Sequence, residues 1–201
     1  PIKSSAASDV YKRQSMDAAG EVKKVVTDKK EYEAKTIIIA TGAVHRKAGI
    51  PGEAEFTGKG VSYCATCDGA FFRNKITAVV GGGDVAVEDA IYLARMCEKV
   101  YLIHRRDEFR AAKSLVNKAK NTENIELVLD STVERISGEA KVSSIEVKNK
   151  ITGNTDELAV DGVFLAVGMQ PVTAFVDKSV QMNEAGYIVA VSYTHLTLPT
   201  T

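Results

Sequence analysis

Cys64-Ala65-Thr66-Cys67-Asp68 places two thiols three positions apart, with a carboxylate directly after the second. Two intervening residues let the sulfurs meet in a small ring, and it is the thiolate that attacks a disulfide. In a desolvated setting Asp68 could exchange a proton with a neighbouring thiol or a flavin nitrogen. Structural zinc would need two more ligands, and Cys97 and three scattered histidines are the only other candidates, so no metal site is expected. The bland alternative is a CxxC that merely packs in a core. Cys97 shares a helical face with Val87, Ala90, Ile91 and Ala94 and reads as a small buried hydrophobe.

A second group of residues is built to hold a phosphate. Gly81-Gly82-Gly83-Asp84-Val85-Ala86 follows an apolar run and precedes a helical one, as a G-x-G-x-x-A dinucleotide loop requires. Gly81 permits the tight turn, Gly83 lets the backbone approach a pyrophosphate at the helix N-terminus, and small Ala86 lets helix and strand pack closely. About 20 residues on, where an NAD site would place an acid against the ribose 2′-hydroxyl, stands His104-Arg105-Arg106-Asp107-Glu108-Phe109-Arg110. Guanidinium forks bind phosphate oxygens in bidentate fashion, so the cluster suits the 2′-phosphate of NADPH; the alternative is a solvated charge run. Asp107 and Glu108 are expected to cap the next helix. NADPH delivers a hydride whereas a dithiol accepts two electrons through sulfur, so the two centres together call for a flavin between them.

The elements that must position these groups follow from periodicity. Residues 76–80 and 100–103 are continuous apolar runs, as in strands buried on both faces of a parallel sheet. Val87, Ala90, Ile91 and Ala94 recur at helical spacing between them, completing a βαβ unit. A helix is expected over about 107–120, then shorter strands near 125–129, 132–136 and 144–148, and a hairpin connection at Thr152-Gly153-Asn154. Residues 36–40 and 162–167 read as apolar strands, each closing on a small residue and Gly, where the chain leaves one domain and returns to it. Pro51-Gly52 marks a boundary near residue 50. Hydrophobic residues make up 45% of the 201, enough for a core. Lys and Arg total 26 against 26 Asp and Glu, so no overall field draws the chain to nucleic acid or a membrane surface. No apolar run approaches the roughly 18 residues of a membrane span, and a cytoplasmic location is expected.

Ser62-Tyr63-Cys64-Ala65-Thr66-Cys67-Asp68-Gly69-Ala70-Phe71-Phe72, Val79-Val80-Gly81-Gly82-Gly83-Asp84 and the 103–110 segment resemble bacterial-type, low-molecular-weight thioredoxin reductases, over about residues 20–190. The cysteine segment is the most specific part, since related hydroperoxide-reductase flavoproteins usually differ between the two cysteines. The resemblance implies an α/β chain in which a Rossmann-like NADPH-binding domain, a βαβ unit with a β-meander, is inserted in a partial FAD-binding domain. It implies FAD and NADPH as cofactors, a homodimeric full-length parent and a thioredoxin-like protein as substrate. Cys64 and Cys67 would form the active disulfide with Asp68 as acid-base partner. Gly81, Gly82, Gly83, Asp84, Val85 and Ala86 would hold the pyrophosphate, and His104, Arg105, Arg106 and Arg110 would line the 2′-phosphate pocket. Thr41 and Gly42 would lie beside FAD. The implied domains are residues 15–50 and 166–190 for FAD and 51–165 for NADPH. Residues 1–14 and 191–201 read as non-native or disordered, resembling translated linker DNA. The family's N-terminal flavin glycine motif and C-terminal Gly-Asp segment have no counterpart here, which implies a fragment. Two other readings stay open: an NADPH-binding fragment without turnover, and a related flavoprotein reductase serving a peroxidase.

Overall fold

In the computed structural model, residues 13–176 and 178–189 are described. The expectations for residues 1–12 and 190–201 lie outside them. The chain divides into two compact units, one formed by residues 1–44 and 169–201, the other by His45–Gly168.

In the first unit, β1 (Arg13–Asp17), β2 (Lys23–Thr27) and β3 (Glu31–Ala34) form an antiparallel meander in that order. Thr27 closes its second turn: its backbone N–H and its hydroxyl both donate to the Lys30 carbonyl, the hydroxyl at 2.8 Å. Lys24 bridges Glu31 and Glu33 at 3.0 and 3.3 Å on the exposed face. β4 (Ala43–His45) pairs with the last strand among the described residues. The strand expected at 36–40 is not formed. Its β-branched run finds no ladder partner among the described residues, and Ile38 is 92% exposed.

The second unit is a three-layer assembly. α1 (Glu53–Phe56), β5 (Val61–Ser62), α2 (Ala65–Asp68) and a 3₁₀ turn at Gly69–Phe72 lead into β6 (Ile76–Gly81), α3 (Asp84–Ala94) and β7 (Lys99–Ile103). α4 (Lys113–Lys120), β8 (Ile125–Val128), β9 (Ser131–Gly138), β10 (Val142–Asn149), β11 (Thr155–Ala159) and β12 (Gly162–Ala166) follow; β13 (Met169–Pro171), the strand that pairs with β4, belongs to the first unit. The central sheet is parallel with strand order β5-β12-β6-β7-β8. Alternate residues of its strands enter two different cores, which is why the runs are continuously apolar. Val79, Val100, Leu102 and Phe164 pack with α3 and Cys97 on one side. Ala78, Ile103, Val163 and Leu165 pack with Val133, Ile136, Val142 and Ile145 of the meander on the other. Each buried Val, Leu, Ile or Phe side chain among these contributes about 1.5–3 kcal/mol.

Two expectations change in this unit. The helix expected from 107 begins at Lys113, and its N-cap is Ala112, so Asp107 and Glu108 do not cap it. The intervening backbone is claimed by tertiary bonds: Arg110 N–H donates to the Gly82 carbonyl at 2.8 Å and Ala112 N–H to Asp84 Oδ1 at 2.7 Å. Of the three strands expected after the helix, the first joins the parallel sheet, and the meander is completed by β11 across the 152–154 turn.

One carboxylate of α3 makes stability depend on pH. Burial, with Glu88 beside it, pushes Asp89 up to about 6 from an ordinary 3.8. Between those values the folded chain holds more protons than the unfolded one, so stability falls as pH rises from about 4 to about 6. Asp89→Asn should therefore stabilise the protein at pH 7.5 by on the order of 1–2 kcal/mol after solvent screening, with the gain vanishing near pH 4. Thermal melts of both proteins at the two pH values check this; an equal gain at pH 4 would point to another cause.

Candidate functional site

Cys64 and Cys67 are joined as a disulfide with Cα atoms 5.3 Å apart. Cys64 caps the single turn of α2, and the Cys67 N–H points at its sulfur at 3.2 Å. The turn is held from both sides. Ala65 is buried, and Phe72 packs edge-on against Phe164 of the sheet at 5.3 Å. A Cβ on Gly69 would stand 3.0 Å from Leu93, so this segment lies close against α3. Between these anchors Cys67 and Phe71 face solvent while Cys64 and Asp68 are half-buried.

Ser62, which sequence reasoning did not single out, organises the carboxylate. Its hydroxyl donates to Asp68 Oδ2 at 2.6 Å and accepts the Cys64 N–H at 3.1 Å. One buried side chain thus ties the acid to the backbone of the first cysteine. Its position two residues before Cys64, on the strand feeding the cysteine turn, is the signal that could have found it.

The glycine loop lies at the other end of α3, about 13 Å along the helix axis from Leu93. β6 ends at Gly81, and α3 starts at Asp84 with Gly83 as an N-cap that offers no side chain to the first-turn N–H groups. A Cβ at Gly83 would meet nothing within 4 Å, so the space before those N–H groups is open. A Cβ at Gly81 would lie 2.5 Å from the Ala166 carbonyl oxygen and 2.7 Å from the Ala86 methyl, so strand and helix approach as only glycine allows. Ala86 is fully buried, Val85 is 62% exposed, and Asp84 is turned towards Ala112.

The basic cluster divides. Arg105, Arg106 and Arg110 are exposed. His104 is buried with its ring beneath Gly82, stacked on Phe109 at 5.2 Å, and its Nε2 has no hydrogen-bond partner. Burial holds His104 below the ordinary imidazole value; a bond to the Glu108 backbone opposes this, and the charges of Arg110, Arg105 and Arg106 reinforce it. Neutral imidazole is the form at physiological pH. The cysteine turn and the glycine loop thus share one unit, whereas Thr41 and Gly42 belong to the other. No group of three or more His, Cys, Asp or Glu side chains able to hold a metal occurs among the described residues.

The chain is similar to known proteins in sequence and in fold. The chain is 47% identical over 165 residues to a thioredoxin reductase of Treponema pallidum (strain Nichols), a match covering 82% of this chain and 53% of the relative. With a thioredoxin reductase of Helicobacter pylori (strain J99 / ATCC 700824) it shares 56% identity, over 70% of this chain and 46% of the relative. The chain spans about half the length of the curated relatives it matches. The crystal structure of Lactococcus lactis thioredoxin reductase in its FR conformation superposes with a TM-score of 0.79 at 44% identity, covering 93% of this chain and 62% of that one. Thioredoxin reductase from Giardia duodenalis gives 0.80 at 40% identity, covering 92% and 61%. Residues 5–200 fit the family described as pyridine nucleotide-disulphide oxidoreductase, and the chain belongs to that family.

Proposed function

We propose that this chain is the nucleotide-binding and disulfide-bearing part of an NADPH-dependent flavoprotein disulfide reductase of the thioredoxin reductase kind. In the whole protein, NADPH would supply the reducing equivalents, FAD would serve as the intermediary, and Cys64–Cys67 would hand them on to a thioredoxin-like protein. The observation that carries this reading is a disulfide-bonded CxxC in the same compact unit as an open glycine loop followed by three exposed arginines. In the whole protein we place a homodimer in the cytoplasm; no helix among the described residues is long and apolar enough to cross a membrane.

The residues present fit NADPH. The uncapped N-terminus of α3 and the open space at Gly83 would receive the pyrophosphate, with Gly81, Gly82, Asp84, Val85 and Ala86 shaping the loop. Arg105, Arg106 and Arg110 would hold the 2′-phosphate, and His104 would wall the pocket from beneath. The residues present do not by themselves make a flavin site. The described part of the first unit contains no helix, hence no strand, glycine loop and helix to cradle a pyrophosphate, and Thr41 and Gly42 are proposed only as neighbours of FAD.

When bound, NADPH supplies a hydride. The reduced cysteine pair then works by thiol–disulfide exchange. One thiolate of the pair attacks a sulfur of the partner's disulfide and expels the other sulfur as thiolate. The second cysteine attacks the resulting mixed disulfide. Cys64–Cys67 ends oxidised, the partner ends as a dithiol, and two protons finish on its sulfurs. Asp68, oriented by Ser62, is the proposed proton carrier at the pair.

Calorimetric titration of the chain tests the nucleotide half of this reading. NADPH should bind at least about tenfold more tightly than NADH, and replacing Arg105 and Arg106 by Gln should remove the preference, since each charged hydrogen bond is worth about 1.5–3 kcal/mol. Equal affinity for the two nucleotides in the parent chain would contradict it. Titration with FAD speaks to a second reading, an NADPH-binding fragment without turnover, which the absence of a helix among the described residues of the first unit favours. Failure to retain FAD while binding NADPH is its signature.

A further inference from the structure

Outside the cysteine turn and the glycine loop, the second unit contains one buried carboxylate with an unusually complete set of donors. Glu53 is 4% exposed. Its Oε1 accepts from Ala48 N–H at 3.2 Å and its Oε2 from Gly49 and Ile50 N–H at 2.7 and 3.3 Å. The hydroxyl of Tyr63 completes the shell, donating to Oε1 at 2.6 Å. These donors outweigh the cost of burial and hold Glu53 below its ordinary value, so it stays ionised. Lys47 donates to the same hydroxyl at 2.8 Å and lies over the Tyr63 ring, and His45 stacks on that ring at 5.4 Å. Glu53 and Tyr63 together therefore gather residues 45–50, where the chain enters this unit, around the residue directly before Cys64.

Such an arrangement exceeds what a loop needs. The backbone N–H groups of 48–50 could be satisfied by water at an exposed crossing, whereas here they are spent on a buried charge whose fourth donor comes from ten positions further on. Because Tyr63 cannot shift without leaving Glu53 underpaired, the backbone entering Cys64 is fixed. We propose that Glu53 and Tyr63 form a latch that sets the position of Cys64, making both of them positioning residues for the disulfide chemistry. The inference rests on the redox reading of Cys64–Cys67 given above.

Holding Cys64 in place lowers the entropy cost of closing the small ring with Cys67, so the latch favours the disulfide over the dithiol. Equilibrating the 201-residue chain in dithiothreitol buffers of graded composition, then trapping and counting thiols by mass, reads that balance directly. In this exchange the reagent's dithiol closes to its cyclic disulfide as Cys64–Cys67 takes up two electrons and two protons. Tyr63→Phe should move the balance towards the dithiol on the order of threefold and Glu53→Gln by more, with the double variant no further than Glu53→Gln, since one hydrogen bond is shared. Val133→Ala, in the core on β9, serves as a control that lowers melting temperature without moving the balance. An unchanged balance in Tyr63→Phe, or a shift towards the disulfide, overturns the latch; that variant keeps the question open to test should Glu53→Gln fail to fold. A pair that never interconverts in any buffer would instead remove the redox reading itself.

Discussion

If the proposed function holds, replacing Cys67 by serine in the whole protein is expected to lower NADPH-dependent reduction of a thioredoxin-like disulfide by at least about a thousandfold. A hydroxyl cannot take the place of a thiolate in either exchange step, and without a second sulfur the mixed disulfide has nothing to resolve it. The same substitution should leave NADPH affinity within about twofold, because the cysteine turn packs at the Leu93 end of α3 and the glycine loop lies at its Asp84 end. Steady-state NADPH consumption with a disulfide carrier, beside a nucleotide titration, separates the two effects. Turnover near the parent's rate would take the cysteine pair out of the mechanism.

The second large effect is expected at Gly81. A methyl there would press on the Ala166 carbonyl at 2.5 Å and the Ala86 methyl at 2.7 Å. One neighbour is backbone in the centre of the parallel sheet and the other is a fully buried helix residue, so neither yields without separating β6 from β12 or lifting α3. Gly81→Ala should cost about 3 kcal/mol, at the upper end of ordinary overpacking, and should weaken NADPH binding about tenfold or more by displacing the first turn of α3. The neighbouring Gly82 offers a contrast. There the atoms nearest to a methyl would be those of the His104 ring, at 2.0 Å, and His104→Ala should restore part of what Gly82→Ala loses. No such relief is available to Gly81→Ala. Chemical denaturation and titration of the four variants decide the matter, and a Gly81→Ala chain as stable as the parent would show that the strand and helix can separate cheaply.

The parts that could be read from residues alone are those where local pattern and tertiary role coincide. Residues 76–81 and 99–103 are buried on both faces, so their apolar runs announce strands directly, and the helix between them carries its own period. What could not be read depends on partners far along the chain. The start of α4 at Lys113 is set by Gly82 and Asp84, which take the N–H groups of Arg110 and Ala112. The run at 36–40 has strand-forming residues but no ladder to join among the described residues. β11, with Asp156 and Glu157 exposed on an edge, carries too little apolar signal to be seen before its partner β10 is known. For the site, the two cysteines and the glycines declare themselves by spacing, whereas Ser62 and Glu53 act through hydrogen bonds that composition and spacing do not encode.

The strand order of the central sheet bears on how the protein is made. β5, which delivers the chain to the cysteine turn, has only β12 beside it, and β12 is synthesised about a hundred residues later. In the order of synthesis, the strand leading to Cys64 and Cys67 therefore lacks its sheet neighbour until residues 162–166 are made, and α3 is the earlier element against which the turn can pack. A polypeptide ending before Gly162 would lack that neighbour, and its sulfur pair is expected to be more open to oxidation or to exchange with other chains.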